Sequence, residues 1–242
     1  MYFAVDNLIN IYFYLLKLKK NMKNTIIKYN SNNNTNINSN TVFPVELHST
    51  LIGLLLSDGG LYRSSPTANV RFEISFGNKN KCLAFYIGEL FKDYISSPVK
   101  SLEIKGIKKV YLNYRLKTKT LSIFNQYYEM FYRFNPNKNK YVKIVPENII
   151  ELMEPIVLAY LNQGDGNFDK CRNRVRIYTN SYTKEEVKSL AMAINTRFNI
   201  YTGVLHDRKN QWILTIGAKN LDLLRKTVSK HFHSSMLHRL GL

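Results

Sequence analysis

The chain has 242 residues, 45% of them hydrophobic, enough for one large core or two small ones. Lysine and arginine number 35 against 17 acids, and the formal net charge of +18 attracts polyanions, which leaves phosphate backbones, anionic lipid or no specific polyanion partner. Two cysteines, Cys82 and Cys171, exclude a disulfide framework, form no CxxC pair for zinc and suit a reducing interior.

Leu8 to Leu16 is apolar and aromatic but too short to span a bilayer. Lys17, Lys19 and Lys20 follow it, the reverse of the charge order in a secretory signal. Asn30 to Asn40 is a polar tract unable to build a core, and its expected state is disorder. Residues 1–41 therefore read as an N-terminal appendage, with the folded body beginning at about 42.

Pro44 to Asp58 reads as a helix whose apolar residues become continuous towards its end, which predicts burial there. Val70 to Phe76 alternates strictly, with Val70, Phe72, Ile74 and Phe76 on one face, as in a half-buried antiparallel strand. Asn80 to Tyr94 reads as an amphipathic helix. Strands follow at Val99–Ile104 and Lys109–Lys117, joined at Gly106, and Thr120 to Phe134 reads as a closing helix. Asn135-Pro-Asn-Lys-Asn-Lys140 has the composition of a linker. The order then recurs: helix at Pro155–Asp165, strand at Arg174–Thr179, and a helix at Thr183–Phe198 opened by a Thr183/Glu186 capping box. Strands at Tyr201–Leu205 and Gln211–Ile216 precede a last helix at Leu221–His231. The recurrence is an internal repeat, with half-domains expected over residues 42–140 and 141–242.

The outward residues of these strands are Arg71, Glu73 and Ser75; Tyr111, Asn113, Arg115 and Lys117; and Arg172, Arg174, Arg176 and Tyr178. Side chains on one strand face stand about 7 Å apart, and a two-stranded ribbon fits a DNA major groove. Arginine and asparagine suit base edges there, while lysine and tyrosine suit phosphates.

Two runs match: Leu51-Ile-Gly-Leu-Leu-Leu-Ser-Asp-Gly59 and Leu158-Ala-Tyr-Leu-Asn-Gln-Gly-Asp-Gly166. A single Asp-Gly after an apolar run is an ordinary helix terminator. Two copies at equivalent places of a repeat point to a shared acidic site made by Asp58 and Asp165. A carboxylate in the last turn of a helix opposes the dipole at a cost of about 0.3–1 kcal/mol, so two such ends brought together call for cations. Hard divalent ions bound by oxygen fit, Mg²⁺ foremost, and beside a basic groove they suit phosphodiester hydrolysis. Small residues at Gly53, Ser57, Ala159 and Gly164 would let the two helices approach closely.

These two runs resemble the paired motifs of single-chain LAGLIDADG homing endonucleases. The resemblance covers residues 42–242 and includes Lys143-Ile-Val-Pro146 and Ser235-Met-Leu-His-Arg-Leu240. It implies an α+β fold of two pseudo-twofold-related αββαββα half-domains, each with an antiparallel four-stranded DNA-binding sheet, packed through the motif helices. It further implies a monomeric, site-specific double-strand endonuclease of intron homing, acting on double-stranded DNA at a long asymmetric target, with no membrane partner and an organelle-encoded, mitochondrial origin. Asp58 and Asp165 would hold the metal, Mg²⁺ with Mn²⁺ able to substitute, and the carbonyls of Ser57 and Gly164 would add ligands. Lys143 and Arg239 would be the basic catalytic residues. Arg239 departs from the usual lysine, which puts proton transfer at that position in doubt. The alternative on the same fold is a group I intron maturase with intron RNA as its partner.

Overall fold

In the computed structural model, residues 43–106 and 110–242 are described, and the appendage expected over residues 1–41 lies outside them. Helix α1 (Val45–Leu56) carries the first duplicated run, and every residue from Ser49 to Leu56 is buried. Strand β1 (Gly60–Arg63) follows almost at once, then β2 (Val70–Gly77), α2 (Lys81–Leu90), β3 (Lys100–Lys105), β4 (Val110–Lys117) and α3 (Asn125–Phe131). The strands form an antiparallel sheet in the order β1-β2-β4-β3. Val70, Phe72, Ile74 and Phe76 of β2 and Tyr114 and Leu116 of β4 are buried, meeting Leu83, Ala84 and Ile87 of α2.

The strand pair β5 (Tyr132–Asn135) and β6 (Lys140–Lys143) comes next, followed by α4 (Ile149–Leu152) and α5 (Pro155–Asp165). Then come β7 (Gly166–Asp169), β8 (Arg174–Ile177), α6 (Lys184–Phe198), β9 (Gly203–His206), β10 (Trp212–Ile216) and α7 (Ala218–Val228). A second antiparallel sheet has the order β7-β8-β10-β9, the same topology as the first. A 3-10 turn at Ser234–Leu240 brings the C-terminal segment back. Among the described residues no helix is long and apolar enough to cross a membrane.

Several expected boundaries correspond closely, and the reasons are local. Helix α5 begins with Pro155 at its first position, where the missing N–H costs nothing. Helix α6 is opened by the expected capping box: Glu186 N donates to Thr183 Oγ1, and Thr183 N donates to Glu186 Oε2 at 2.7 Å. The other oxygen of Glu186 accepts from Val145 N at 3.0 Å, which ties the segment after Lys143 to this helix.

The region 132–143 differs from expectation. The helix expected to run to Phe134 stops at Phe131, and the stretch read as a linker is the β5–β6 hairpin, with Tyr132 opposite Lys143 and Phe134 opposite Tyr141. Two contacts outweigh helix propensity there. Tyr132 Oη accepts from Leu61 N at 3.0 Å, and Ile144 N donates to Phe131 O at 2.8 Å. The turn uses Asn135, whose side chain accepts from Lys138 N, and Asn139 in the left-handed region at φ 46°. Strands β1 and β7 are absent from the sequence reading. At four residues each they are too short to show a period.

Helices α1 and α5 meet where glycine removes the side chain. A Cβ on Gly53 would lie 2.6 Å from Tyr160 Cβ and 2.7 Å from Val157 O. One on Gly164 would lie 2.3 Å from Ser57 Oγ. The bulk of Tyr160 in the second run is thus accommodated by the glycine of the first. Its hydroxyl bonds to Thr50 and Tyr86, and burial raises its pKa. Tyr182 Oη donates to Leu56 O at 3.0 Å and adds a buried tie at the end of α1. Gly53→Ala is therefore expected to lower stability by about 1–3 kcal/mol, because overpacking outweighs a helix-propensity gain of about 1 kcal/mol; urea denaturation reads the difference, and an unchanged or raised midpoint would refute the contact.

Candidate active site

The chain leaves α1 at Ser57 and α5 at Asp165, so the close approach of the helix ends places Asp58 and Asp165 together. Asp58 has solvent access and Asp165 is half-buried. Among the described residues neither carboxylate makes an ion pair or a hydrogen bond. Water loss raises the pKa of Asp58 against the opposing pull of Lys143 and Arg239. Asp165 is pushed up to about 7 by burial first and by the Asp58 charge second, again against Lys143 and Arg239.

The basic residues face backbone. Lys143 Nζ donates to Ser57 O at 2.6 Å and to Gly59 O at 3.0 Å. Arg239 donates through its guanidinium to Gly164 O. Each cation therefore closes the negative end of one duplicated helix, where carbonyls lack intrahelical partners. Burial holds Lys143 down at about 8 despite both aspartates, and it lowers Arg239 in the same way.

The donor set suits a hard divalent cation. It consists of two uncommitted carboxylates and two carbonyls, all oxygen, and each carbonyl keeps a second lone pair beside the cation it already accepts from. Among the described residues no cluster of three or more His, Cys, Asp or Glu could hold a metal ion. An ion there would draw its remaining ligands from water and substrate.

Three residues not marked by the sequence patterns hold this centre. Gln163 is buried next to the tight contact at Gly164; its amide donates to His231 O at 3.2 Å and accepts from His233 N at 2.8 Å, fixing the segment that returns Arg239. Tyr182 and Tyr132 anchor Leu56 and Leu61 on either side of Asp58. The one visible signal was a glutamine inside a buried run.

The outward strand residues assemble on two faces. The pairs Glu73–Lys117 and Ser75–Arg115 put β2 and β4 in register, with Arg71, Tyr111 and Asn113 on the same side. Tyr62 pairs with Arg71, and Lys100 with Arg115, so both join this face. Glu73, expected as an outward contact, is instead only 4% exposed. Arg71, Arg115 and Lys117 close over it. Burial alone would raise its pKa, but the hydrogen bonds from Arg71 and Arg115 outweigh burial and hold it below the usual range. On the second sheet Asp169 gathers Arg172, Arg174 and Arg176 in the same manner. Arg172 sits in the turn before β8, and Tyr178 lies just beyond its end, exposed.

Fold and centre together define a pseudo-twofold α+β scaffold, two antiparallel sheets joined through paired helices that each deliver one aspartate. The chain belongs to the LAGLIDADG DNA endonuclease family, whose model matches residues 48–224. It is 28% identical over 197 residues to the probable intron-encoded endonuclease 1 of Wickerhamomyces canadensis, covering 79% of this chain and 82% of the relative. It is 23% identical over 231 residues to the cytochrome b mRNA maturase bI2 of Saccharomyces cerevisiae, covering 91% of this chain and 53% of the maturase, so it spans about half the length of that relative. In fold it is similar to the homing endonuclease I-WcaI, solved bound to its DNA recognition sequence, with a TM-score of 0.74 and 21% identity, covering 85% of this chain and 95% of the other.

The titration of Asp165 gives a sign for stability without metal. Its folded pKa of about 7 lies above the unfolded value of 3.8, so its contribution is present below pH ~4 and is lost as pH rises through ~7. Lys143, held at about 8 against 10.5, costs stability below pH ~8 and returns it between ~8 and ~10.5. In EDTA, Asp165→Asn is expected to flatten the fall in urea midpoint between pH 4 and 7 and to exceed wild type above pH 7; an unchanged pH profile would contradict the geometry.

Proposed function

We propose that this protein is a site-specific, metal-dependent endonuclease of intron homing that hydrolyses both strands of a long asymmetric DNA target. The observation that carries this reading is the pair of uncommitted carboxylates at abutting helix ends, with a lysine and an arginine beside them and basic sheet faces on the same scaffold. Half-domains over residues 42–140 and 141–242 would each supply one sheet and one aspartate. Because both aspartates belong to one chain, a monomer holds the whole centre. Two groups of relatives, the intron-encoded endonucleases and the cytochrome b maturases, support a mitochondrial, intron-borne origin.

Asp58 and Asp165, with the carbonyls of Ser57 and Gly164, would hold Mg²⁺, or Mn²⁺ in its place. When bound, such ions neutralise phosphate charge, activate water and stabilise the leaving oxygen. The chain's own residues do the rest. Arg71, Arg115, Lys117, Arg174, Arg176 and Tyr178 bind and orient the duplex through phosphates and base edges. Lys143 can exchange a proton, whereas Arg239 can only stabilise charge, so the two strands meet chemically unequal halves.

The similarity to cytochrome b maturases favours a second reading, a group I intron maturase acting on its own RNA. Incubation with duplex DNA spanning an intron-insertion junction separates the two. Cleavage is expected with Mg²⁺ and not with EDTA, and Asp58→Asn or Asp165→Asn should slow it by about three orders of magnitude. Tight intron-RNA binding with uncut DNA would overturn the nuclease reading in favour of the maturase. Duplex affinity is also expected to fall at least about a thousandfold between about 50 and 200 mM salt, and a salt-insensitive complex would refute the basic faces as the contact surface.

A further inference from the structure

Strand β3, at the edge of the first sheet, is exposed along its whole length and turns Leu102 and Ile104 to the basic side. Its pairing with β4 sets Lys100 opposite Arg115, Leu102 opposite Asn113 and Ile104 opposite Tyr111, on the face that carries Arg71 and Ser75. Ser101, Glu103 and Lys105 take the other face, where Tyr114 opposite Ser101 is buried but Leu112 and Val110, opposite Glu103 and Lys105, are exposed, so the core does not reach under this strand. Here Leu102 is 37% and Ile104 48% exposed on the basic side.

The surroundings define what would cover them. Lys100 and Arg115 flank the aliphatic pair at one end, and Lys117 and Arg71 lie further along the same face. A partner must therefore present apolar groups framed by negative charge. The floor of a DNA major groove does this, with the C5-methyl of thymine as its apolar group and phosphates on both rims. Asn113, directly opposite Leu102, carries the amide that pairs with the adenine edge in the same groove.

We infer that Leu102 and Ile104 are specificity-determining residues that read thymine methyl groups in the target duplex, making the stretch under β3 and β4 selective for A·T pairs. This rests on the DNA-binding reading above and adds a chemical preference to it.

Selection from a pool of random-sequence duplexes in EDTA supplies the probe. Each thymine of the selected duplex is then replaced singly by uracil, which keeps the pairing and removes only the methyl. At one or two thymines, wild-type binding is expected to weaken about fourfold. The double variant Leu102→Ala/Ile104→Ala should bind the thymine and uracil duplexes equally, gaining nothing from the methyl, and an unchanged circular dichroism spectrum and urea midpoint report its folding. Uracil penalties equal in both proteins overturn the inference and leave the DNA reading standing. A pool that yields no bound duplex overturns both. Self-association abolished by Ile104→Glu, with uracil penalties unchanged in that variant, assigns the patch to a second copy of the chain and likewise overturns it.

Discussion

The contact between α1 and α5 sets everything else. At Gly53 and Gly164 the two helices come closer than any side chain beyond hydrogen would allow. Each glycine inside a helix costs roughly 1 kcal/mol relative to alanine. That cost is offset by burying Leu51, Ile52, Leu54, Leu55, Leu158, Ala159 and Leu161 in one continuous core, where each fully covered leucine or isoleucine contributes about 1.5–3 kcal/mol. Because strands β1 and β7 leave the helix ends with at most three intervening residues, the same contact fixes how the two sheets are tethered to the acidic centre.

Bringing two helix C-termini together concentrates negative charge, and the fold manages it with one cation per end. Lys143 and Arg239 occupy the terminal carbonyls and leave the carboxylates uncommitted. The sheets use the inverse device. There a single carboxylate, Glu73 or Asp169, gathers three basic side chains and holds them in a fixed array. Such an array loses less side-chain entropy on meeting phosphate than free arginines would. Centre and faces thus carry opposite charge logic on one scaffold.

Much of this was legible in the sequence where a local rule and a tertiary demand agree. Pro155, the Thr183–Glu186 box and the alternation from Val70 to Phe76 each satisfy the backbone locally and bury the right side, so the elements fall where the pattern puts them. The two aspartates were legible because duplication raised them above a helix-end signal. The β5–β6 hairpin was not, because Asn135 to Lys140 has a loop's composition and a distant partner, Leu61, whose N–H donates to Tyr132 of β5, helps decide its strands. Gln163 was hidden for a related reason, since its role depends on a backbone segment some 70 residues away. The direction of β3 was invisible too, because its face is assigned by register with β4 and not by its own pattern.

Gly53 and Tyr160 hold the same place in the two runs, and their contact accepts neither residue twice. Two tyrosines there would collide, since even a Cβ at position 53 lies 2.6 Å from Tyr160 Cβ. Two glycines would leave a void where the ring now packs, at a cost of about 3–5 kcal/mol on the scale of large aromatic truncations. The contact is therefore divided into a large and a small partner, so at this position the two runs are complementary and not interchangeable.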